Sequence, residues 1–182
     1  MQQQDRQSLL NDLTTKAKEQ RQITIEKFQN TSLEILLKPS SSYGWSIMEC
    51  LEHLNIYARY YLSVAENKMA ESVDNLEAKA IKSTWIGRKA IESMEVSKGL
   101  KKLKATKKNI PNQDLDARKV VTEFINQQER LMVILRKAET KDLQKIKIPI
   151  SIAKFLSLNL GDMLQFLINH NERHILQATR NL

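Results

Sequence analysis

The chain has 182 residues and a formal net charge of +8, from 29 Lys and Arg against 21 Asp and Glu. Four glycines and three prolines among many Lys, Glu, Gln, Leu and Ile favour a few long helices and argue against a β-rich fold. One cysteine, Cys50, excludes an intrachain disulfide; no apolar run approaches the roughly 18–20 residues that span a bilayer, and MQQQDRQSLLNDL lacks the pattern of a secretory leader, so a cytoplasmic protein is expected.

In chain order, Leu10, Leu13, Ala17, Gln20, Thr24 and Phe28 recur at steps of three and four, predicting a first helix from Gln4 to about Phe28. The following 29-QNTSLEILLKPSSSYG-44, with Pro39, three serines and Gly44, reads as a loop. Ser46-Ile47-Met48-Glu49 is a capping box: the serine hydroxyl accepts from the Glu49 N–H and the glutamate reaches back. It opens a second helix over 47–69, with Met48, Leu51, Leu54/Asn55, Ala58, Leu62 and Ala65 inward. Trp45, just before the cap, can staple against Cys50 or Leu51.

Residues 70–111 read as a long crossover in which 82-KSTWIGRKAIESM-94 fits a helical turn or short helix. Its end, 98-KGLKKLKATKK-108, carries Lys98, Lys101, Lys102, Lys104, Lys107 and Lys108. Such a run either binds phosphates or is a solvated connector; without interleaved aromatics or a DNA-binding motif, it argues against nucleic acid. Asp114 or Asp116 caps a third helix over 117–138, striped by Val120/Val121, Phe124, Gln128, Leu131, Leu135 and Ala138. The stretch 145-KIKIPISIA-153 alternates around a proline and is extended or a loop. A fourth helix follows from Leu160 to about Asn181, with Leu160, Met163/Leu164, Leu167, His170/Asn171, His174 and Ala178 on one face. Four amphipathic helices in one domain, 1–182, pack most simply as an all-α four-helix bundle.

His170 and His174 are one turn apart and about 40° offset, so they point the same way and can share an ion. They lie on the inward stripe, where an unpaired imidazole is costly. If the second and fourth helices adjoin, His53 can converge on them, and three neutral imidazoles suit Zn²⁺, Ni²⁺ or Fe²⁺. The competing reading is two helix-surface histidines and one core histidine. Among their neighbours, Glu49 reads first as the cap, Tyr57 as a core or boundary residue able to donate into the cleft, and Cys50 as a buried structural thiol. Arg173 and Arg180 most simply serve the carbonyls ending the last helix and the solvent.

The segment 45-WSIMECLEHL-54 resembles the W-S-x-x-E-x-x-x-H-L opening of the second helix in DinB-like (DinB/YfiT-like) proteins, and 170-HNERHILQATR-180 resembles their H-x-x-x-H-x-x-Q signature. The stretch 101-KKLKATKKNIP-111 is similar to a crossover in one branch, and 145-KIKIPI-150 and 158-LNLGDMLQFLINH-170 fit the approach to the last helix. The resemblance implies an up-down-down-up bundle with a long crossover between the second and third helices. It implies a divalent metal on His53, His170 and His174, and sets Gln177 at the trailing glutamine, either supporting His174 or merely exposed. It further implies a metal-dependent enzyme, a thiol-dependent transferase or a hydrolase, acting on a small molecule, with a low-molecular-weight thiol as partner and a homodimer as the assembly. The alternative is a non-catalytic ligand-binding or stress-response module.

Overall fold

The computed structural model describes residues 4–40, 44–77, 80–98, 105–112, 114 and 116–182. The fold is mostly helical. Asp5 caps α1 (Arg6–Thr24) by accepting from Ser8 N–H, and a π-helical turn over Ile25–Gln29 carries the chain on to bury Phe28. Every residue of the expected first stripe from Leu10 to Phe28 is buried.

The segment expected to be a loop contains a short helix, α2 (Leu33–Leu37). Ser32 caps it and Leu36 packs fully into the core, while Leu33 and Leu37 stay exposed. One turn is too short for a period to emerge, and Pro39 holds Lys38 in extended backbone, ending the turn. The capping box opens α3 (Ile47–Ala70): Glu49 N–H donates to Ser46 Oγ at 3.2 Å and Ser46 N–H donates to Glu49 Oε2 at 2.8 Å.

The crossover contains the short helix expected over 82–94, α4 (Trp85–Met94), capped by Thr84 and packed on α6 (Leu160–Thr179). At that seam the buried Asp162 carboxylate accepts from Thr84 N–H and Oγ–H at 3.1 and 3.2 Å. Gly87 permits the approach, since a Cβ there would lie 1.9 Å from Asp162 Oδ2. Asp116 caps α5 (Ala117–Lys137) by accepting from Arg118 and Lys119 N–H.

Among the described residues, two small antiparallel pairs qualify the all-α expectation. The strand β1 (Gln4–Asp5), placed in the first helix by sequence, pairs with β2 (Ala80–Ile81). The hairpin β3 (Lys147–Ile150) and β4 (Ala153–Asn159) extends the expected extended stretch up to α6 itself, with a register shift at Pro149/Ile150. Proline there has no N–H for the ladder.

The long helices pack in the cyclic order α1, α5, α3, α6. Cross-helix contacts fix their levels: Asn55 with Val120, Arg59 with Glu123 and Glu66 with Arg130 between α3 and α5, and Arg21 with Glu129 between α1 and α5. Two apolar clusters form the core, one around Leu13, Tyr61, Leu131 and Leu164, the other around Phe28, Leu51, Phe124 and Ile175. Where each long helix passes from one cluster to the other it carries a buried amide: Gln20, Asn55, Gln128 or Asn171. Gln20 donates to Ile168 C=O at 2.9 Å and Asn55 to Val120 C=O at 3.0 Å, tying neighbouring helices together at this level. Such groups are costly to bury unpaired, so they penalise any helix register that breaks these bonds.

Candidate metal centre

The capping box sets where α3 begins, and His53 follows two turns inside it. His170 and His174 stand one turn apart on α6, facing it. The three rings form a triangle with centroid separations of 5.0 Å (His53–His170), 4.7 Å (His53–His174) and 4.8 Å (His170–His174). One nitrogen of each ring lies within 4.8 Å of those of the other two. The sequence-predicted trio is therefore one cluster, with His53 and His170 buried and His174 partly accessible.

Hydrogen bonding orients two of the rings. His53 Nδ1 lies 2.7 Å from the carbonyl oxygen of Asn109, and His174 Nδ1 lies 3.0 Å from Gln177 Oε1. Each oxygen only accepts, so each Nδ1 carries the proton and each Nε2 keeps its lone pair turned to the cluster. This is how a ligating imidazole is held by the groups behind it.

Burial is the main cause of a depressed pKa at all three rings. His174 is brought down to about 3, by desolvation and then by His53. His170 lies well below the ordinary value, through desolvation and the charges of His174, His53 and Arg173. His53 is lowered by burial against the opposing pull of the Asn109 carbonyl. At neutral pH all three are uncharged, the form that binds a metal.

The donor set fits a divalent ion. His53 Nε2 and His170 Nε2 are 3.1 Å apart, close to the roughly 3.0–3.4 Å between nitrogens sharing one ion at about 2.1 Å. His170 Nδ1 is buried with no protein partner, so the rings do not satisfy one another completely. Three imidazoles suit Zn²⁺, Ni²⁺ or Fe²⁺ alike.

Aromatic rings wall the cluster. Trp45 covers His53 and His174 at 4.7 and 5.7 Å, Tyr57 lies 4.5 Å from His170, and Phe166 stacks on His170 at 5.6 Å. Trp45 is thus part of the site as well as an apolar neighbour of the cap. Gln177 supports His174. Glu49 is engaged in the cap, and the fully buried Cys50 has its thiol pushed up to about 12 by burial and by Glu49. Arg173 departs from expectation: it is buried beside the histidines, whereas Arg180 caps α6 in solvent. Of the lysine run, Lys107 and Lys108 are exposed; Lys101, Lys102, Lys104 and the Lys98 side chain lie outside the described residues. Sequence reasoning missed Asn109, for which a carbonyl contact leaves no residue-type signal.

The model of the DinB superfamily matches residues 16–178. This chain belongs to the DinB superfamily. The match spans the cap, α3, the crossover and all three histidines. No curated protein and no solved structure matches the chain. Among the described residues no helix is long and apolar enough to cross a membrane.

Proposed function

We propose that this DinB-superfamily protein holds a divalent metal on His53, His170 and His174 and uses it in thiol-dependent transfer or in hydrolysis. The observation that carries the reading is the pinning of His53 and His174 through Nδ1, which directs neutral Nε2 lone pairs into the cluster. When bound, such an ion lowers the pKa of a coordinated water or holds a thiol as thiolate. The protein's own part is to orient the imidazoles, exclude water with Trp45, Tyr57 and Phe166, and leave access beside His174.

Cross-helix contacts support an up-down-down-up bundle within one domain, 1–182. α3 and α5 pair in increasing order (55 with 120, 66 with 130), whereas α3 and α6 pair in opposite order (53 with 174, 61 with 166). A cytoplasmic location, a small-molecule thiol partner and a homodimer belong to the same reading.

A second reading is a non-catalytic ligand-binding module. It is favoured by Glu49, the one acid–base candidate in the sequence motif, being held in the capping box. Turnover of an electrophile with bacillithiol, glutathione or coenzyme A by the metal-loaded protein separates the two. The enzyme reading predicts metal-dependent turnover lost in His170→Ala; metal-bound protein inert with every thiol, and toward hydrolysable esters, overturns it.

A further inference from the structure

The imidazoles differ in what stands behind them. Gln177 lies on the same helix as His174, so that bond forms whenever α6 does. The acceptor behind His53 comes from elsewhere: the Asn109 carbonyl, 56 residues along the chain and 2.7 Å from His53 Nδ1. This bond forms only when the end of the crossover is seated on α3. The 3₁₀ turn over Lys107–Asn109 packs against that helix, with Asn109 N–H donating to Thr106 C=O at 2.8 Å. The chain then alternates, with Asn109 and Pro111 buried and Ile110 exposed between them. Pro111 restricts Ile110 to extended backbone, here at φ −79° and ψ 126°.

Residues Thr106–Pro111 thus form a strap laid on the helix that carries His53. The crossover has another anchor, the contact of Thr84 with Asp162, which involves none of the histidines. With the strap seated, His53 Nδ1 holds the proton and Nε2 keeps its lone pair for an ion. With the strap lifted, that acceptor is gone, and the ring is free to turn or to carry its proton on Nε2, where it blocks ligation. Loss of such a partner behind a ligating histidine costs about 10–100-fold in metal affinity. Binding free energies are reciprocal: a strap that strengthens the ion about tenfold is itself held down about tenfold more firmly by the ion.

We propose that Thr106–Pro111 is a metal-coupled strap, in which the Asn109 carbonyl positions His53 and metal on the histidines holds the end of the crossover against α3. This rests on the metal reading above. It makes the crossover a part of the metal centre as well as a connection between α3 and α5. The exposed Lys107 and Lys108 ride on the strap, so metal occupancy sets how firmly these two charges are held to the bundle.

The test uses the full chain, metal-free and saturated with Zn²⁺. Hydrogen exchange read by mass spectrometry follows residues 105–112, with the hairpin turn at 150–153, which bonds to none of the histidines, as reference. Zn²⁺ should slow exchange in the strap about tenfold and leave the turn unchanged. A competition titration then compares Zn²⁺ affinity in wild type, the double variant Asn109→Gly/Pro111→Gly, and Thr84→Ala. The double variant unseats the strap without altering a histidine; it should bind about tenfold more weakly, with helical circular dichroism unchanged. Thr84→Ala loosens the other anchor and should stay within about twofold of wild type. Strap exchange equal with and without bound Zn²⁺, equal slowing of strap and turn, undiminished affinity in the double variant, or an equal loss in Thr84→Ala overturns the coupling and leaves the metal reading standing. Wild type that binds no Zn²⁺ overturns both.

Discussion

Acidifying the metal-free protein from pH 7 to pH 5 should destabilise it steeply. In the folded chain His174 is held at about 3, against 6.5 when unburied, and His53 and His170 are lowered as well. Each is a depressed pKa, so the unfolded chain takes up protons that the folded chain refuses. The stability linked to this is fully present above pH 6.5 and is lost as pH falls toward the folded values. For His174, a drop from pH 7 to pH 5 amounts to about 2 kcal/mol, from a slope approaching 1.4 kcal/mol per unit and per proton. His53 and His170 add in the same direction. The carboxylates lowered by ion-pair partners, Glu66 and Glu123 from 4.5 and Asp74 from 3.8, contribute mainly below pH 5. Guanidinium denaturation in the presence of a chelator, at pH 7, 6 and 5, measures the slope. A stability that stays flat within about 0.5 kcal/mol across those points would refute a cluster of desolvated, neutral imidazoles.

Three further outcomes follow from local geometry. Gly87→Ala places a Cβ 1.9 Å from Asp162 Oδ2, forcing the carboxylate off Thr84. About 2–4 kcal/mol should be lost, a melting temperature lower by roughly 5–15 °C, readable by calorimetry. Ser46→Ala removes half of the capping box and should cost about 1 kcal/mol in chemical denaturation. Gln177→Leu removes the acceptor behind His174 and should weaken metal binding at least tenfold in a competition titration while leaving helical circular dichroism unchanged.

The elements legible in the sequence were those with a repeated period or a local chemical signature. The stripe from Leu10 to Phe28 survives a change from α to π helix because the buried face continues. The capping box named its own hydrogen bonds, and Asp116 its role as cap. The i, i+4 spacing of His170 and His174 brought them to one face, but the approach of His53 depends on α3 and α6 being neighbours, which spacing within one helix does not encode. The short helix α2 and the strand β4 were missed or truncated because a single turn carries no period and β4 merges directly with the cap of α6. Arg173 reads as a surface residue by type; its burial comes from the neighbours that tertiary packing supplies. Asn109 is the clearest limit, since any residue could offer the carbonyl that orients His53.

The central claim is that the three imidazoles act together as one metal site. Metal analysis of purified wild type beside His53→Ala and His170→Ala, covering Zn, Ni, Fe and Mn and repeated after loading with each ion, tests it most directly. One equivalent of a divalent ion on wild type, lost in both variants while their helical content persists, is the predicted result. The same negligible metal on all three proteins, or an equal stoichiometry on all three, would contradict it.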